Sequence, residues 1–282
     1  MSSTSFPPPP SPPQTAEATA DQTATDLDLR VPCYCEENAW RLAYRHLRRG
    51  RWSSADRRDD NNDDGDYDER GRRRYRYHVV FVSNDARCCP FRMQRAARSE
   101  DGYVCWDYHV VVIREVVEEG TSSSLSSSSS PAESTASAGT TEVLDVDTRL
   151  SYPCPLKLYL EGSFPHAMRS DDGCDRAPSS IMPYFRVVPA RQYLKYFYSD
   201  RMHMFKNGRW SSPPPHYEPI MNGLSFAEDD RRGDINKGSN LQMYISMSDN
   251  GCESSAEQNN VSDFEERWGK VYSLDQFYAR FR

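Results

Sequence analysis

A thiol, an imidazole and a carboxylate occur along this chain in contexts that suit nucleophilic catalysis: Cys35, His109 and Asp145. Catalysis by cysteine needs a thiolate, a base beside it and a group that orients the base. Cys35 is followed by Glu36 and Glu37, acids that favour the first turn of a helix, and a helix N-terminus lowers the pKa of a thiol. The residue types therefore predict Cys35 as the nucleophile, His109 as the general base and Asp145 as the orienting acid.

Hydrophobic periodicity indicates the helix that would carry Cys35. Its apolar residues fall at i, i+3, i+4 and i+7, one face of an amphipathic helix: Trp40, Ala43, Tyr44 and Leu47. Pro32 lies just before this run, and proline prevents a helix from extending further back. The helix is therefore predicted to start at or beside Cys35.

Two strand patterns would position the other two side chains. Residues 103–115 are dense in β-branched and aromatic residues and contain His109, and the shorter run 142–147 contains Asp145. Ser-rich filler separates the two runs, so we expect an antiparallel hairpin, because surface loops tolerate long insertions at small entropic cost. Neighbouring antiparallel strands can place a carboxylate beside an imidazole. The pattern predicts that Asp145, in the second strand, lies next to His109.

The remaining ordered segments mix helices and strands. Residues 77–83 and 185–188 have strand composition, and residues 190–205 carry aromatic and apolar side chains at helical spacing. Ser273 and Gln276 form a capping-box pattern before a final helix. The sequence thus predicts an α+β fold in which helices pack on a mainly antiparallel sheet.

Each proposed catalytic residue also has a purely structural interpretation. A cysteine in a reduced protein is most often a small buried hydrophobic residue, and a histidine in a strand is usually held by ordinary hydrogen bonds. Cys33 and Cys105 compete with Cys35 as the reactive thiol. A zinc site is a further alternative, but Cys33-x-Cys35 and Cys88-Cys89 lack the usual spacing of structural zinc ligands. We therefore expect no metal.

Polar filler accounts for the low apolar content of the chain. Only 37% of the 282 residues are hydrophobic, yet 12% are aromatic, and disordered chains are poor in aromatic residues. The filler is concentrated in four stretches: 1–30, 48–76, 118–141 and 225–262. We therefore expect a disordered tail over 1–30 and a single domain over 31–282 with disordered, low-complexity insertions at the other three stretches.

Charge and hydropathy exclude several classes of protein. The net charge of −7 argues against general nucleic-acid binding, and no run approaches the roughly 18–20 apolar residues of a membrane span. The N-terminal sequence has neither the basic nor the apolar segment of a secretory signal. We expect a protein of the cytoplasm, with the nucleus as a second compartment, whose eight cysteines are reduced.

Short motifs in a fixed order add a family resemblance. They are Tyr34-Cys35-Glu36-Glu37-Asn38-x-Trp40, Trp106-Asp107-Tyr108-His109-Val110-Val111, Leu144-Asp145-Val146-Asp147-Thr148, Ser199-Asp200-Arg201-x-His203-Met204 and Trp268-Gly269-x-Val271-Tyr272. Together they resemble the protein N-terminal glutamine amidohydrolase family. The resemblance runs from about residue 33 to residue 281 and skips the filler.

The resemblance implies an enzyme and assigns roles to its residues. In that family the cysteine of Cys-Glu-Glu-Asn is the nucleophile, the histidine of Trp-Asp-Tyr-His is the base, and the first aspartate of Asp-x-Asp-Thr orients it. These residues correspond to Cys35, His109 and Asp145. The resemblance also implies a monomeric α-β-α sandwich related to papain-like and transglutaminase-like folds, without a cofactor. The implied reaction converts N-terminal glutamine to glutamate in the N-degron pathway, where an arginyltransferase modifies the product.

Selectivity for an N-terminal residue requires a group that binds its free ammonium. A buried carboxylate does this through a charge-assisted hydrogen bond, and Glu37 and Asp147 lie nearest to the catalytic residues in sequence. Tyr34 and Trp106 are candidates for the walls of the substrate pocket. Glu37 equally suits the role of a first-turn helix acid, and Trp106 equally suits the core.

Two rival classes remain open at this point. One is another thiol enzyme on the same scaffold, a cysteine peptidase that cleaves internal peptide bonds or a transglutaminase that attaches amines to internal glutamine. The other is an interaction module whose insertions recruit partners and whose Cys35 has no unusual reactivity.

Overall fold

A computed structural model describes the segments that build the core of this chain. These are residues 25–49, 66–67, 74–98, 102–117, 141–168, 178–221, 238–247 and 261–282. Residues 1–24 of the predicted tail, and most of the predicted insertions at 48–76, 118–141 and 225–262, lie outside the described residues. The expected disorder of those segments stays a prediction.

Helices and strands are interleaved along the described residues. The strands are β1 (Asp66–Tyr67), β2 (Arg74–Ser83), β3 (Cys89–Phe91), β4 (Val104–Trp106), β5 (Tyr108–Val117), β6 (Thr141–Leu144), β7 (Cys154–Pro155), β8 (Tyr184–Pro189), β9 (Phe205–Lys206), β10 (Arg209–Trp210) and β11 (Lys270–Ser273). The α-helices are α1 (Cys35–Arg49), α2 (Leu156–Ser163), α3 (Pro165–Met168), α4 (Ala190–Tyr196), α5 (Leu241–Ile245), α6 (Val261–Trp268) and α7 (Leu274–Phe281).

One sheet organises the described part of the fold. Its strands follow the order β11-β8-β2-β5-β6-β7, with β1 paired to β2, and every pairing is antiparallel. The predicted hairpin is present, because β5 pairs with β6 in a register that places Val112 opposite Leu144. The α+β class with a mainly antiparallel sheet is therefore confirmed.

Helices cover both faces of the sheet. Alternate residues of a strand point to opposite faces, and in β2 Val79 and Phe81 enter one core cluster while Val80 and Val82 enter the other. The first cluster takes residues from α1, α4, α5 and α6, and the second takes residues from α2, α3 and α7. The sheet is therefore buried from both sides, and α1 packs on one of them.

The helix that carries Cys35 begins where the sequence predicts. The side-chain amide of Asn38 donates to the carbonyl of Val31 at 2.8 Å and accepts from its N–H at 2.9 Å, which holds the residues before α1 against its first turn. The predicted capping box is also confirmed, since the Ser273 hydroxyl accepts from the N–H of Gln276 and the Gln276 side chain accepts from the N–H of Ser273.

The strand predicted over 142–147 is shorter than expected. It ends at Leu144, so Asp145 lies in the turn that follows and not in a strand. The reason is local: Oδ1 of Asp145 accepts the N–H of Asp147 at 2.8 Å, and its carbonyl accepts the N–H of Thr148 at 3.4 Å. Aspartate favours turns through such bonds to its own neighbouring backbone.

Two other segments are broken by polar side chains. The strand predicted over 103–115 is divided into β4 and β5 at Asp107, whose carboxylate accepts the N–H of Tyr108 at 3.0 Å. The helix predicted over 190–205 ends at Tyr196. The side chain of Asn240 donates to the carbonyl of Tyr196 at 2.7 Å and accepts the N–H of Tyr198 at 3.1 Å, so it takes the place of continued helical bonds.

Parts of the predicted filler belong to the core. β2 begins at Arg74, inside the stretch 48–76. Within 225–262, the apolar residues of α5 and its C-terminal end are buried: Leu241, Tyr244, Ile245 and Met247. Thr141, the last residue of the stretch 118–141, begins β6, and Asp26–Leu29 of the predicted tail form a 3-10 helix. Polar composition therefore overstated the extent of the tail and of all three insertions.

Candidate active site

Cys35 lies at the first position of α1 and is partly exposed. Its sulfur receives a hydrogen bond from the backbone N–H of Val110, the residue after His109, and the thiol donates to Oε2 of Glu36 at 3.6 Å. Burial, together with the negative charges of Glu36 and Asp147, raises the pKa of the Cys35 thiol well above its ordinary value. The expectation that the helix N-terminus lowers this pKa is therefore wrong.

His109 and Asp145 form a buried pair. Nε2 of His109 lies 3.1 Å from Oδ1 of Asp145, at the edge where β6 ends beside β5. The other carboxylate oxygen of Asp145 accepts from Nε2 of Gln94 at 3.1 Å and from the hydroxyl of Tyr159 at 2.8 Å. Burial works against the charged form, but the charge of His109 and these donors lower the pKa of Asp145. Asp145 is thus a fixed anion that orients the imidazole.

Aromatic rings hold the imidazole of His109 in place. The Trp106 ring stacks on it with centroids 6.0 Å apart, and the Phe91 ring meets it edge-on at 5.3 Å. Burial opposes protonation, but the adjacent carboxylate of Asp145 outweighs it and raises the pKa of His109. Since Nε2 faces Asp145, Nδ1 is the ring nitrogen left for proton exchange.

The two predicted ammonium-binding carboxylates are already paired with arginines. Both oxygens of Glu37 accept from the guanidinium of Arg201, at 2.7 and 2.8 Å, and both residues are buried. Oδ1 of Asp147 accepts from Nε of Arg30 at 2.6 Å. The ammonium-binding role of Glu37 stays a prediction, and both of its oxygens already accept hydrogen bonds from Arg201. Asp147 contributes negative charge beside Cys35 and His109.

The two predicted pocket walls differ in their surroundings. Tyr34 is fully buried and its hydroxyl donates to the carbonyl of Ser212 at 3.1 Å, so its ring does not line an open pocket. Trp106 is partly exposed and stacks on His109. The indole of Trp106 therefore borders the candidate site, whereas Tyr34 supports it from inside the core.

Glu36 is the group in this site that sequence reasoning missed. Its side chain is 0% exposed and its Oε2 accepts from the hydroxyl of Tyr108 at 3.2 Å and from the Cys35 thiol. Within the described residues its Oε1 has no hydrogen-bond partner, and Nε2 of His203 lies 3.7 Å from it. Burial, with the charge of Glu37, raises the pKa of Glu36 to about 7. In the sequence, Glu36 stands out only by its position directly after Cys35. Acids are common in the first turn of a helix, so that position alone did not indicate a role in the site.

A family model with the description N-terminal glutamine amidase matches residues 30–281. This chain belongs to that family.

Curated relatives agree with the family assignment. The chain is 33% identical over 250 residues to the protein N-terminal glutamine amidohydrolase of Bos taurus, covering 88% of this chain and 84% of that protein. It is 32% identical over 257 residues to the protein of that name from Homo sapiens, covering 91% and 89%. A relative of the same name from Drosophila melanogaster is 30% identical over 201 residues, covering 70% and 73%.

This member of the amidase family carries a disulfide next to its candidate site. Cys88 and Cys105 are bonded, so the expectation of reduced cysteines does not hold for these two. The bond joins the segments that form the antiparallel β3–β4 pair, whose residues Phe91 and Trp106 contact His109. The disulfide also removes Cys105 from the candidate reactive thiols.

Within the described segments, no three histidine, cysteine, aspartate or glutamate side chains are grouped so as to hold a metal ion. Nor does that part of the chain include a helix with the length and apolar character needed to cross a membrane.

Proposed function

We propose that this chain is a thiol hydrolase that deamidates N-terminal glutamine in peptides and proteins, giving N-terminal glutamate and ammonia. Membership of the N-terminal glutamine amidase family supports the substrate, as do the names of its relatives from Bos taurus and Homo sapiens. The observation that carries the chemistry is the buried His109–Asp145 pair, one residue away from the backbone N–H that binds the Cys35 sulfur.

The proposed first step forms a thioester. Nδ1 of His109 takes the proton of the Cys35 thiol as the sulfur attacks the side-chain amide carbon of the substrate, and Asp145 stabilises the imidazolium that results. The raised pKa of His109 favours this transfer. The tetrahedral intermediate then breaks its carbon–nitrogen bond, and the imidazolium gives its proton to the departing ammonia.

The second step regenerates the thiol. Neutral His109 removes a proton from a water molecule whose oxygen attacks the thioester carbon, the carbon–sulfur bond breaks, and the sulfur recovers the proton. Both steps need donors for the oxyanion. The first N–H groups of a helix have no acceptor within the helix, so the N–H of Cys35 is our candidate for one of these donors.

We also propose that the fold is an α-β-α sandwich of the papain-like and transglutaminase-like kind. Helices on both sheet faces and a nucleophile at the start of one of them support this assignment. In the same proposal the enzyme acts as a monomer without a cofactor in the cytoplasm or nucleus, within the N-degron pathway. Light scattering after size-exclusion chromatography tests the monomer.

Mass spectrometry of a peptide that begins with glutamine tests the reaction. We expect wild-type protein to replace the side-chain amide with a carboxylate, and Cys35→Ala and His109→Ala to leave the peptide unchanged. Cys33→Ala is the matched control, because it removes an exposed thiol two positions away and should retain activity. An unchanged peptide with wild-type protein would overturn the proposal.

The same assay separates the rival classes. Cleavage of internal peptide bonds would indicate a cysteine peptidase, and attachment of an added amine to internal glutamine would indicate a transglutaminase. A protein with none of these activities, whose Cys35 stays unmodified in the presence of the glutamine peptide and iodoacetamide, would indicate an interaction module.

A further inference from the structure

The buried carboxylate of Glu36 has one oxygen that nothing in the described part of the chain satisfies. Its Oε2 accepts from Tyr108 and from the Cys35 thiol, whereas Oε1 is buried without a hydrogen bond. A buried polar atom left unpaired is unfavourable, and more so when the group is charged. Such an atom next to a nucleophile points to a donor that the substrate supplies.

The other carboxylates near Cys35 lack this property. Glu37 uses both oxygens for the fork of Arg201, and Asp147 accepts from Arg30. Asp145 accepts from His109 and from other donors on both of its oxygens. Among these described residues, Glu36 is thus the acid with a buried oxygen that has no hydrogen bond, whereas Asp147 is paired through Oδ1 with Arg30.

We propose that Oε1 of Glu36 receives the α-ammonium of the substrate's N-terminal residue. The inference rests on the proposed function, because it places the ammonium and the side-chain amide of the same glutamine at adjacent groups, Glu36 and Cys35. An N-terminal ammonium supplies both the positive charge and the donor that the unpaired oxygen lacks. A free N-terminus is therefore recognised at the residue that follows the nucleophile.

The partly exposed side chain of His203 lies next to Oε1 of Glu36. Its side chain is 23% exposed and its Nε2 lies 3.7 Å from Oε1. In the part of the chain that the structure describes, neither ring nitrogen of His203 has a hydrogen-bond partner. Burial lowers the pKa of His203, so its ring is neutral at neutral pH and supplies no positive charge to Glu36, whose own pKa is raised to about 7. A bound ammonium would favour the carboxylate form of Glu36.

Binding of an ammonium to Glu36 should also change the pKa of the Cys35 thiol. After burial, the charge of Glu36 is the largest contribution that raises the pKa of the Cys35 thiol. A bound ammonium compensates this charge, so the thiolate forms more readily when a free N-terminus is present. An acetylated N-terminus provides no such charge. A peptide with that N-terminus should therefore bind more weakly and also react more slowly in the chemical step.

Binding to a protein that cannot turn over tests the proposal. In the Cys35→Ser background, calorimetry compares a glutamine peptide with its N-acetylated form, with and without Glu36→Gln. We expect the free peptide to bind about ten- to a hundredfold more tightly than the acetylated one, the size of a hydrogen bond to a charged group. Glu36→Gln should reduce this preference to near unity. Glu161→Gln, on an exposed face of α2, is the matched charge-removal control and should retain it.

The outcomes distinguish this proposal from the proposed function. A preference for the free N-terminus that survives Glu36→Gln would overturn the role of Glu36 and leave the deamidation proposal intact. A Cys35→Ser protein that binds neither peptide, with wild-type protein that does not deamidate, would overturn both. A thermal unfolding midpoint close to that of Cys35→Ser shows that Glu36→Gln is folded; a much lower midpoint would contradict a role in binding and indicate a structural one.

Discussion

Replacing Arg201 by alanine should destabilise the protein strongly, because it leaves a buried negative charge on Glu37 without a partner. The guanidinium holds both oxygens of Glu37 at 2.7 and 2.8 Å and also donates to the carbonyls of Tyr217 and Glu218 at 2.9 and 3.2 Å. Removing one partner of a buried ion pair costs about 3–5 kcal/mol. Since most small domains are stable by only about 5–15 kcal/mol, Arg201→Ala should lose from about a fifth to all of the stability of the fold.

Urea unfolding measures this change, provided that its slope stays the same as in the wild type. Arg201→Lys keeps the charge but not the planar fork, so it should recover only part of the loss. The double variant Glu37→Met, Arg201→Met removes both charges and should recover most of it. A loss below about 1 kcal/mol for Arg201→Ala, the range of an exposed pair, would refute a buried and structural role for Glu37.

Three further predictions concern the site and its support. Asp145→Asn should keep the fold but lower kcat on the order of 10³- to 10⁴-fold, because the imidazole loses the anion that orients it; an activity within tenfold of wild type would contradict the pairing with His109. Reducing the Cys88–Cys105 disulfide, or replacing both residues by serine, should lower stability by about 3 kcal/mol, the value for a loop of this length, and an unchanged unfolding midpoint would refute the bond. Iodoacetamide modification of Cys35, followed by peptide mass spectrometry without substrate, should keep rising with pH above the ordinary thiol pKa of about 8.5. The thiolate fraction rises with pH until the pH exceeds the pKa, and this pKa is raised. A rate that levels off near neutral pH would show that the environment favours the thiolate.

Local sequence patterns sufficed for the elements that carry the nucleophile and the base. The start of α1 at Cys35 follows from its periodicity and its acidic first turn, and the β5–β6 hairpin follows from two adjacent strand patterns. The family motifs then identified the cysteine, histidine and aspartate together. The proximity of His109 to Asp145 could thus be predicted from the sequence alone.

Contacts between distant segments account for the errors. The helix after Pro189 stops early because Asn240, more than forty positions away, binds the backbone of Tyr196. The ion pair of Glu37 with Arg201 was not predicted, because the arginine lies 164 positions along the chain. Neither pairing leaves a periodic signal in the sequence. The unpaired oxygen of Glu36 is likewise a property of packing, and a sequence pattern does not contain it.

The most direct test of the central claim follows the oxygen that enters the product. A glutamine peptide is incubated with wild-type protein in heavy-oxygen water and analysed by mass spectrometry, with Cys35→Ala and the N-acetylated peptide in parallel. Deamidation through a Cys35 thioester predicts N-terminal glutamate that carries one solvent oxygen in its side chain, ammonia in equal amount, and no reaction in either control. Conversion of the peptide by Cys35→Ala at the wild-type rate would contradict it.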